Sequence, residues 1–204
     1  MRAAVLLACV TVAAMLVACG GDDTTTTSRT VSAGSPQAGR TVVAYTNIPQ
    51  IDQALNNAIA GDEIELARIT GYQQVACAET SEGPEAPPIC RQPDESVGQA
   101  VEVFPYSRCE VTWVRPEQVP DVYQEAFDRE GLELYAAYTP SAFATRYGTE
   151  YVAVVVDSDG NGVAIHTREG RVVFLEDDCD NLPALVAPER AANFIKQPEA
   201  PPTG

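Results

Sequence analysis

The residues best suited to chemistry lie in one short run, DSDGNG at positions 157–162. Its alternating oxygen-bearing side chains and its final glycine match the first half of an EF-hand calcium loop. Position 12 of such a loop carries a bidentate acid, but here it is Arg168, and the flanking residues are β-branched rather than helical. The EF-hand is therefore excluded. The run also reads as a turn, because Asp, Asn and Gly tolerate positive φ.

An acidic run further along the chain keeps a different calcium site open. Glu169-Gly170 predicts a hairpin that joins strands 163–168 and 171–176, in which Val163 faces Glu176. Residues 176–180 then lie at the same end of the sheet as DSDGNG. Because clustered like charges are costly unless a cation neutralises them, we keep a calcium site as one hypothesis. Its ligands would be Asp157, Asp159, Asn161, Asp177 and Asp178.

Few residues could act as a catalytic base or nucleophile. The chain has one His, His166, and one Lys, Lys196, and it lacks the common hydrolase, zinc-protease and nucleotide-binding motifs. His166 alternates with Ala164 and Arg168, which predicts a half-exposed strand histidine. Carboxylate catalysis stays open, because acidic residues are abundant.

A cluster of aromatic residues is predicted to pack the sheet or its rim, with a ligand pocket as the alternative: Tyr135, Tyr138, Phe143, Tyr147 and Tyr151.

Four cysteines lie beyond the first forty residues, and an even number in an exported domain predicts two disulfides. We favour Cys77–Cys90, which would tie off a Pro-containing loop, and this leaves Cys109–Cys179. A metal site built from the four thiolates lacks the usual C-x-x-C spacing. A catalytic Cys paired with His166 is a weaker alternative.

The N-terminus has the form of a secretory signal. Arg2 precedes an uncharged, mostly apolar run over residues 3–18, which is short for a bilayer-spanning helix. The sequence Leu16-Val17-Ala18-Cys19 resembles the lipobox of bacterial lipoproteins. That resemblance implies that residues 1–18 are a cleaved signal peptide, and that Cys19 becomes a lipid-anchored N-terminus carrying acyl chains such as palmitate. Residues 19–40 are rich in Thr, Ser and Gly, which is typical of a flexible tether.

The net charge of the chain limits which classes of partner are expected. The 204-residue chain has a net charge of −16, and removing the signal, with Arg2 and no acid, makes it −17. A chain this acidic repels phosphates, so nucleic acid is not expected as a partner. It is also repelled by anionic lipids, so membrane contact would come from the anchor. The expected location is the cell membrane or envelope, facing outside the cytoplasm.

Residues 41–187 are long enough for one domain, followed by a Pro-rich tail over 188–204. Ile51, Leu55, Ala58 and Ile59 share a helical face, and Asp62 is placed to cap a second helix over residues 64–69.

A loop spans about 78–98, and extended character follows over 101–114, with Pro105 as a bulge or edge marker. A third helix is predicted from a cap at Asp121, with Val122, Ala126 and Phe127 as its apolar face. Four strands then follow, at 132–138, 151–157, 163–168 and 171–176.

This order predicts an α+β fold, with N-terminal helices packed on a curved antiparallel sheet. The phrase IDQALNNAIAGDEIELARI is similar to the helical openings of the nuclear-transport-factor-2-like superfamily, which implies a cone-like sheet. That superfamily includes enzymes and binding domains, so it does not fix the function. We expect a non-catalytic domain that binds a protein or small ligand. The alternatives are an enzyme with carboxylates in the cone, or a calcium-stabilised interaction module.

Overall fold

The computed structural model describes residues 43–83, 86–142, 144–177 and 182–198, and these belong to one compact unit, Thr41–Gly204. The described residues form an α+β fold with a curved, open sheet, as predicted. The helices are α1 (Pro49–Ile59), α2 (Glu63–Arg68), α3 (Val119–Phe127) and α4 (Leu182–Leu185). The strands are β1 (Gln73–Ala76), β2 (Ala100–Arg108), β3 (Glu110–Val114), β4 (Glu133–Pro140), β5 (Tyr151–Val156), β6 (Gly162–Arg168), β7 (Arg171–Asp177) and β8 (Ala191–Lys196).

Along the sheet the strand order is β1-β2-β7-β6-β5-β4-β8, and β3 pairs with β2. The prediction of an antiparallel sheet is wrong at one pair, because β2 and β7 run parallel. A parallel pair requires a long crossover connection, and here β3 to β6 and α3 lie between the two strands. The sequence shows the four strands after α3 but gives no sign of where β2 joins them.

The first two helices follow the predicted pattern. Ile51, Leu55 and Ala58 are fully buried on one face of α1. The Asp62 side chain accepts a hydrogen bond from the backbone N–H of Glu65 and caps α2, as predicted. In α3 the predicted cap at Asp121 is wrong, because a single turn at Pro116–Gln118 leads directly into the helix at Val119.

The extended segment 101–114 is two strands rather than one. Cys109 has a φ of +67° and reverses the chain, so β2 and β3 form an antiparallel hairpin. Pro105, predicted to mark a bulge or an edge, lies in β2 opposite Trp113 of β3, in the gap between the residues of β2 that pair with β1 and those that pair with β7. It is tolerated because pairing with β1 ends at Val103 and pairing with β7 begins at Tyr106.

Two bulges change which side chains share a face. In β4 the register shifts between Leu134 and Ala136, so the predicted single face is wrong: Leu134 and Tyr138 lie on opposite sides of the sheet. The hairpin of β6 and β7 turns at Glu169-Gly170 with Arg168 opposite Arg171, as predicted. Beyond the turn a bulge places Val163 opposite Asp177, not Glu176.

Both faces of the sheet are covered. Helices α1 to α3 bury the first face together with side chains such as Phe104, Val155 and Ile165. On the second face, α4 packs with side chains such as Val154 and Tyr138, and Phe194 of the edge strand β8 packs beside Tyr138. The segment assigned to a tail therefore contributes β8, which pairs with β4. Among the described residues, no helix has both the length and the hydropathy needed to cross a membrane.

Cys77 and Cys90 form the predicted disulfide, with an S–S distance of 2.03 Å. It is the one bridge observed within the described ranges, where two were expected. Cys179 lies outside those ranges, so Cys109–Cys179 stays a prediction. It has local support, because Arg108 pairs with Asp177 and the two cysteines follow these residues closely along the chain. Cys19, the signal and the tether also lie outside the described residues.

Candidate functional site

His166 lies at the centre of a buried polar network on the second face of the sheet. Its Nε2 is 3.3 Å from a carboxylate oxygen of Glu176, and its Nδ1 is 3.4 Å from the hydroxyl of Thr149. Arg190 donates to both carboxylate oxygens of Glu176, at 3.1 and 2.5 Å. The prediction of a half-exposed histidine is wrong, because the side chain is fully buried.

The β7 bulge explains why sequence reasoning missed this network. Without it, Glu176 would pair with Val163 and point away from His166. With it, His166 pairs with Phe174, and Glu176 falls on the same face two residues further along. A one-residue slip moves a side chain to the other face of a sheet, so a single bulge is enough to bring the two groups together.

The charges of this network are fixed by its surroundings. Burial lowers the pKa of His166, and this outweighs the hydrogen bond and the charge of Glu176. The imidazole is therefore neutral at pH 7. Burial alone would raise the pKa of Glu176, but hydrogen bonds from His166 and Arg190 outweigh it and lower the pKa to about 2. With His166 neutral, Arg190 is the permanent positive partner of Glu176.

This network is closed by packing, which favours a structural role. The ring of His166 lies 4.8 Å from that of Phe174, and Tyr147 contacts Phe174 at 5.1 Å. An acid–base catalyst must reach the proton that it transfers, and a fully buried imidazole between these groups has no such access. Of the predicted aromatic cluster, Tyr138 also packs the sheet, while Phe143 lies outside the described residues.

Hydrogen bonds to the side chain of Asp157 hold the DSDGNG turn together. One carboxylate oxygen of Asp157 accepts from the backbone N–H groups of Asp159 and Asn161, each at 2.9 Å, and the other accepts from the Asn161 side chain. Burial raises the pKa of Asp157, but these hydrogen bonds outweigh it, and the net shift is downward. Both oxygens of Asp157 are therefore engaged within the turn, which is an Asx-type arrangement.

Arg129 supplies a cation at this end of the sheet. Its guanidinium lies 2.9 Å from Asp177 and 3.9 Å from Asp157, so it stands between two predicted calcium ligands. Asp159 is exposed, and Asp178 lies outside the described residues. No group of three or more possible metal-ligating side chains is found in the described part of the chain. The calcium site stays an untested hypothesis, and the Arg129 guanidinium would compete with a calcium ion for Asp157 and Asp177.

A groove lies elsewhere, between β3 and the disulfide-closed loop. This groove has a volume of about 540 Å³. One wall is β3 from Glu110 to Trp113, and the other is loop residues that include Ile89, which is 56% exposed. Arg115 closes one end by donating to the carbonyl of Ile89 and to Glu95.

The disulfide and the backbone hold the loop wall in place. Beside the Cys77–Cys90 bridge, the N–H of Ala78 donates to the carbonyl of Pro88, and the carbonyl of Ala78 accepts from the N–H of Cys90, each at 2.9 Å. Cys77, Cys90 and Trp113 pack together with Val101 and Val103. These contacts hold the part of the loop wall beside the bridge in place. The loop and the disulfide were predicted, but no feature of the sequence indicated that β3 would face them.

No protein family model matches the chain, and no curated protein matches it at a significant level.

Proposed function

We propose that this chain is an exported, lipid-anchored protein whose folded domain is a non-catalytic binding module. Its partner, a protein or a small ligand, binds in the groove between β3 and the Cys77–Cys90 loop. The observation that carries the proposal is the groove itself, which is concave, lined by polar and apolar groups, and bounded on one side by a disulfide-linked wall. Sites of this kind are the usual places for ligands on a rigid domain.

The packing of the rest of the domain supports binding over catalysis. The sheet face that a cone cavity would expose is instead filled by fully buried side chains such as Leu55, Phe104 and Val155. The carboxylates near the core are engaged by other groups. Asp177 and Glu176 each contact an arginine, Asp157 accepts hydrogen bonds within its own turn, and Asp52 accepts from Thr46. None of these four has the free access to a cavity that a general acid or base needs.

The proposed location is outside the cytoplasm, on a membrane to which Cys19 is attached. The lipobox-like sequence at residues 16–19 supports this proposal, and the Cys77–Cys90 disulfide fits an oxidising compartment. Expression in bacteria with labelled palmitate tests it. We expect label on the wild-type protein and none on Cys19→Ala, which should also leave the membrane fraction. Equal labelling of both proteins would refute the lipid anchor.

A photo-crosslinking residue placed at Thr112 tests the groove in the source cells. Thr112 is exposed and lines the groove, whereas Asp121 is exposed on α3 and serves as the matched control position. We expect adducts of discrete mass from position 112 and none of the same mass from position 121. If the two positions give the same products, or none, the groove is not the binding surface.

A further inference from the structure

The groove follows the edge of a strand rather than the face of a sheet. Side chains alternate across a strand, so a cavity above a sheet touches every second residue. This groove instead contacts four consecutive residues of β3: Glu110, Val111, Thr112 and Trp113. In the described part of the chain, β3 pairs with β2 alone, so its other edge is the one that faces the groove.

The register identifies which backbone groups face the groove. Pro105 lies opposite Trp113 and has no N–H, so this pair cannot exchange two hydrogen bonds. The non-hydrogen-bonded positions of β3 are therefore Trp113 and, two residues away, Val111. Their N–H and C=O groups point away from β2. Within the described ranges, no backbone hydrogen bond from another element reaches either residue.

The geometry points to an extended peptide segment of a protein partner as the occupant, added as a strand along the free edge of β3. This inference rests on the proposed function and names the class of its partner. Unpaired donors and acceptors on a strand edge are the chemistry that recognises a main chain. The exposed side chain of Ile89 on the opposite wall adds a preference for apolar residues on one side of the incoming strand.

The position of the loop wall argues against a dimer in which the β3 strands of two copies of this chain pair edge to edge. In every copy the free edge of β3 faces the loop wall that carries Ile89, and Arg115 ties that wall to the end of the strand. Two such edges cannot meet without displacing both loops. An incoming segment must instead be a single extended chain that enters between the walls.

Replacing one residue of β3 tests the backbone pairing. Val111→Pro removes an N–H that faces the groove and leaves the hydrogen bonds to β2 intact, so the fold should survive. Val111→Thr keeps the N–H and is the matched control. Melting temperatures and near-ultraviolet circular dichroism of both variants check the fold.

The probe is a display library of random dodecapeptides, selected on the wild-type chain. We expect enriched peptides to bind Val111→Thr as they bind wild type, and to bind Val111→Pro about tenfold more weakly, the usual effect of one lost hydrogen bond. A scan of single N-methyl groups along the best peptide should weaken binding at alternate residues, because alternate N–H groups face β3. Equal binding to both variants, a scan without this period of two, or no enriched peptide would overturn the inference.

The cellular crosslink separates this inference from the proposed function. If position 112 gives adducts in wild type and they persist unchanged in Val111→Pro, the groove binds a partner but not by strand addition. If position 112 gives no adducts in wild type, the proposed function itself fails.

Discussion

Replacing Glu176 by Gln should destabilise the domain in a way that depends on pH. The carboxylate is held by His166 and by both terminal nitrogens of Arg190, and its side chain is 22% exposed. Its pKa is about 2 in the folded domain, against 4.5 for an unperturbed glutamate. That difference corresponds to about 3 kcal/mol of folding stability at neutral pH.

The sign of the pH dependence follows from the direction of the shift. The folded pKa lies below the unfolded one, so between pH 4.5 and 2 the unfolded chain binds a proton that the folded domain does not. The stabilisation is therefore complete above pH 4.5 and is lost as the pH falls towards 2. The stability difference between wild type and Glu176→Gln should shrink over the same interval.

Urea unfolding followed by far-ultraviolet circular dichroism, at intervals from pH 7 to pH 3, measures this difference directly. Glu189→Gln is the control, because Glu189 is exposed and immediately precedes Arg190 in the chain. We expect Glu189→Gln to stay close to wild type at every pH. A loss at Glu176→Gln below about 1 kcal/mol, or one that stays constant with pH, would contradict the ion-pair account, since exposed pairs contribute only that much.

Three further outcomes are expected. The proton resonances of the His166 ring should not titrate near pH 6.5, because burial lowers the pKa of the imidazole; a midpoint at 6.5 would mean that the ring reaches water. For the same reason the free energy of unfolding should fall as the pH drops below 6.5, where the unfolded chain binds a proton that the folded domain does not. The double variant Cys77→Ser/Cys90→Ser should lose about 3 kcal/mol in urea unfolding, the entropy of a loop of this length, and a loss near zero would show that backbone pairing alone holds the groove wall. Millimolar calcium should leave the melting temperature of wild type unchanged relative to chelator and raise that of Arg129→Gln, in which Asp157 has lost its neighbouring cation; a rise in wild type would favour the calcium hypothesis.

Local sequence signals predicted the elements that depend on local physics. The apolar face of α1, the Asp62 cap of α2 and the Glu169-Gly170 turn each involve residues within a few positions of one another. These elements depend on the spacing of apolar residues, on a capping side chain and on residues that tolerate positive φ, and all three can be recognised in the sequence. The Cys77–Cys90 disulfide was predicted for a similar reason, because it closes a short loop.

The features that escaped prediction depend on register between distant segments. One extra residue in β7 turns Glu176 onto the face of His166, and no local pattern marks the position of that bulge. The reversal at Cys109 converts an apparent single strand into a hairpin and gives β3 its free edge. The groove exists because the 77–98 loop folds back beside that edge, which is a tertiary arrangement.

The position of the last strand has a consequence for how the domain assembles. β2 pairs with β7, and β4 pairs with β8, which ends at Lys196. The sheet therefore cannot be completed until nearly the whole chain is available, and pairings between segments so far apart in sequence are slow to form. If the chain is exported N-terminus first, as we propose, the end that carries Cys19 arrives before the segment that forms β8 is available to complete the sheet.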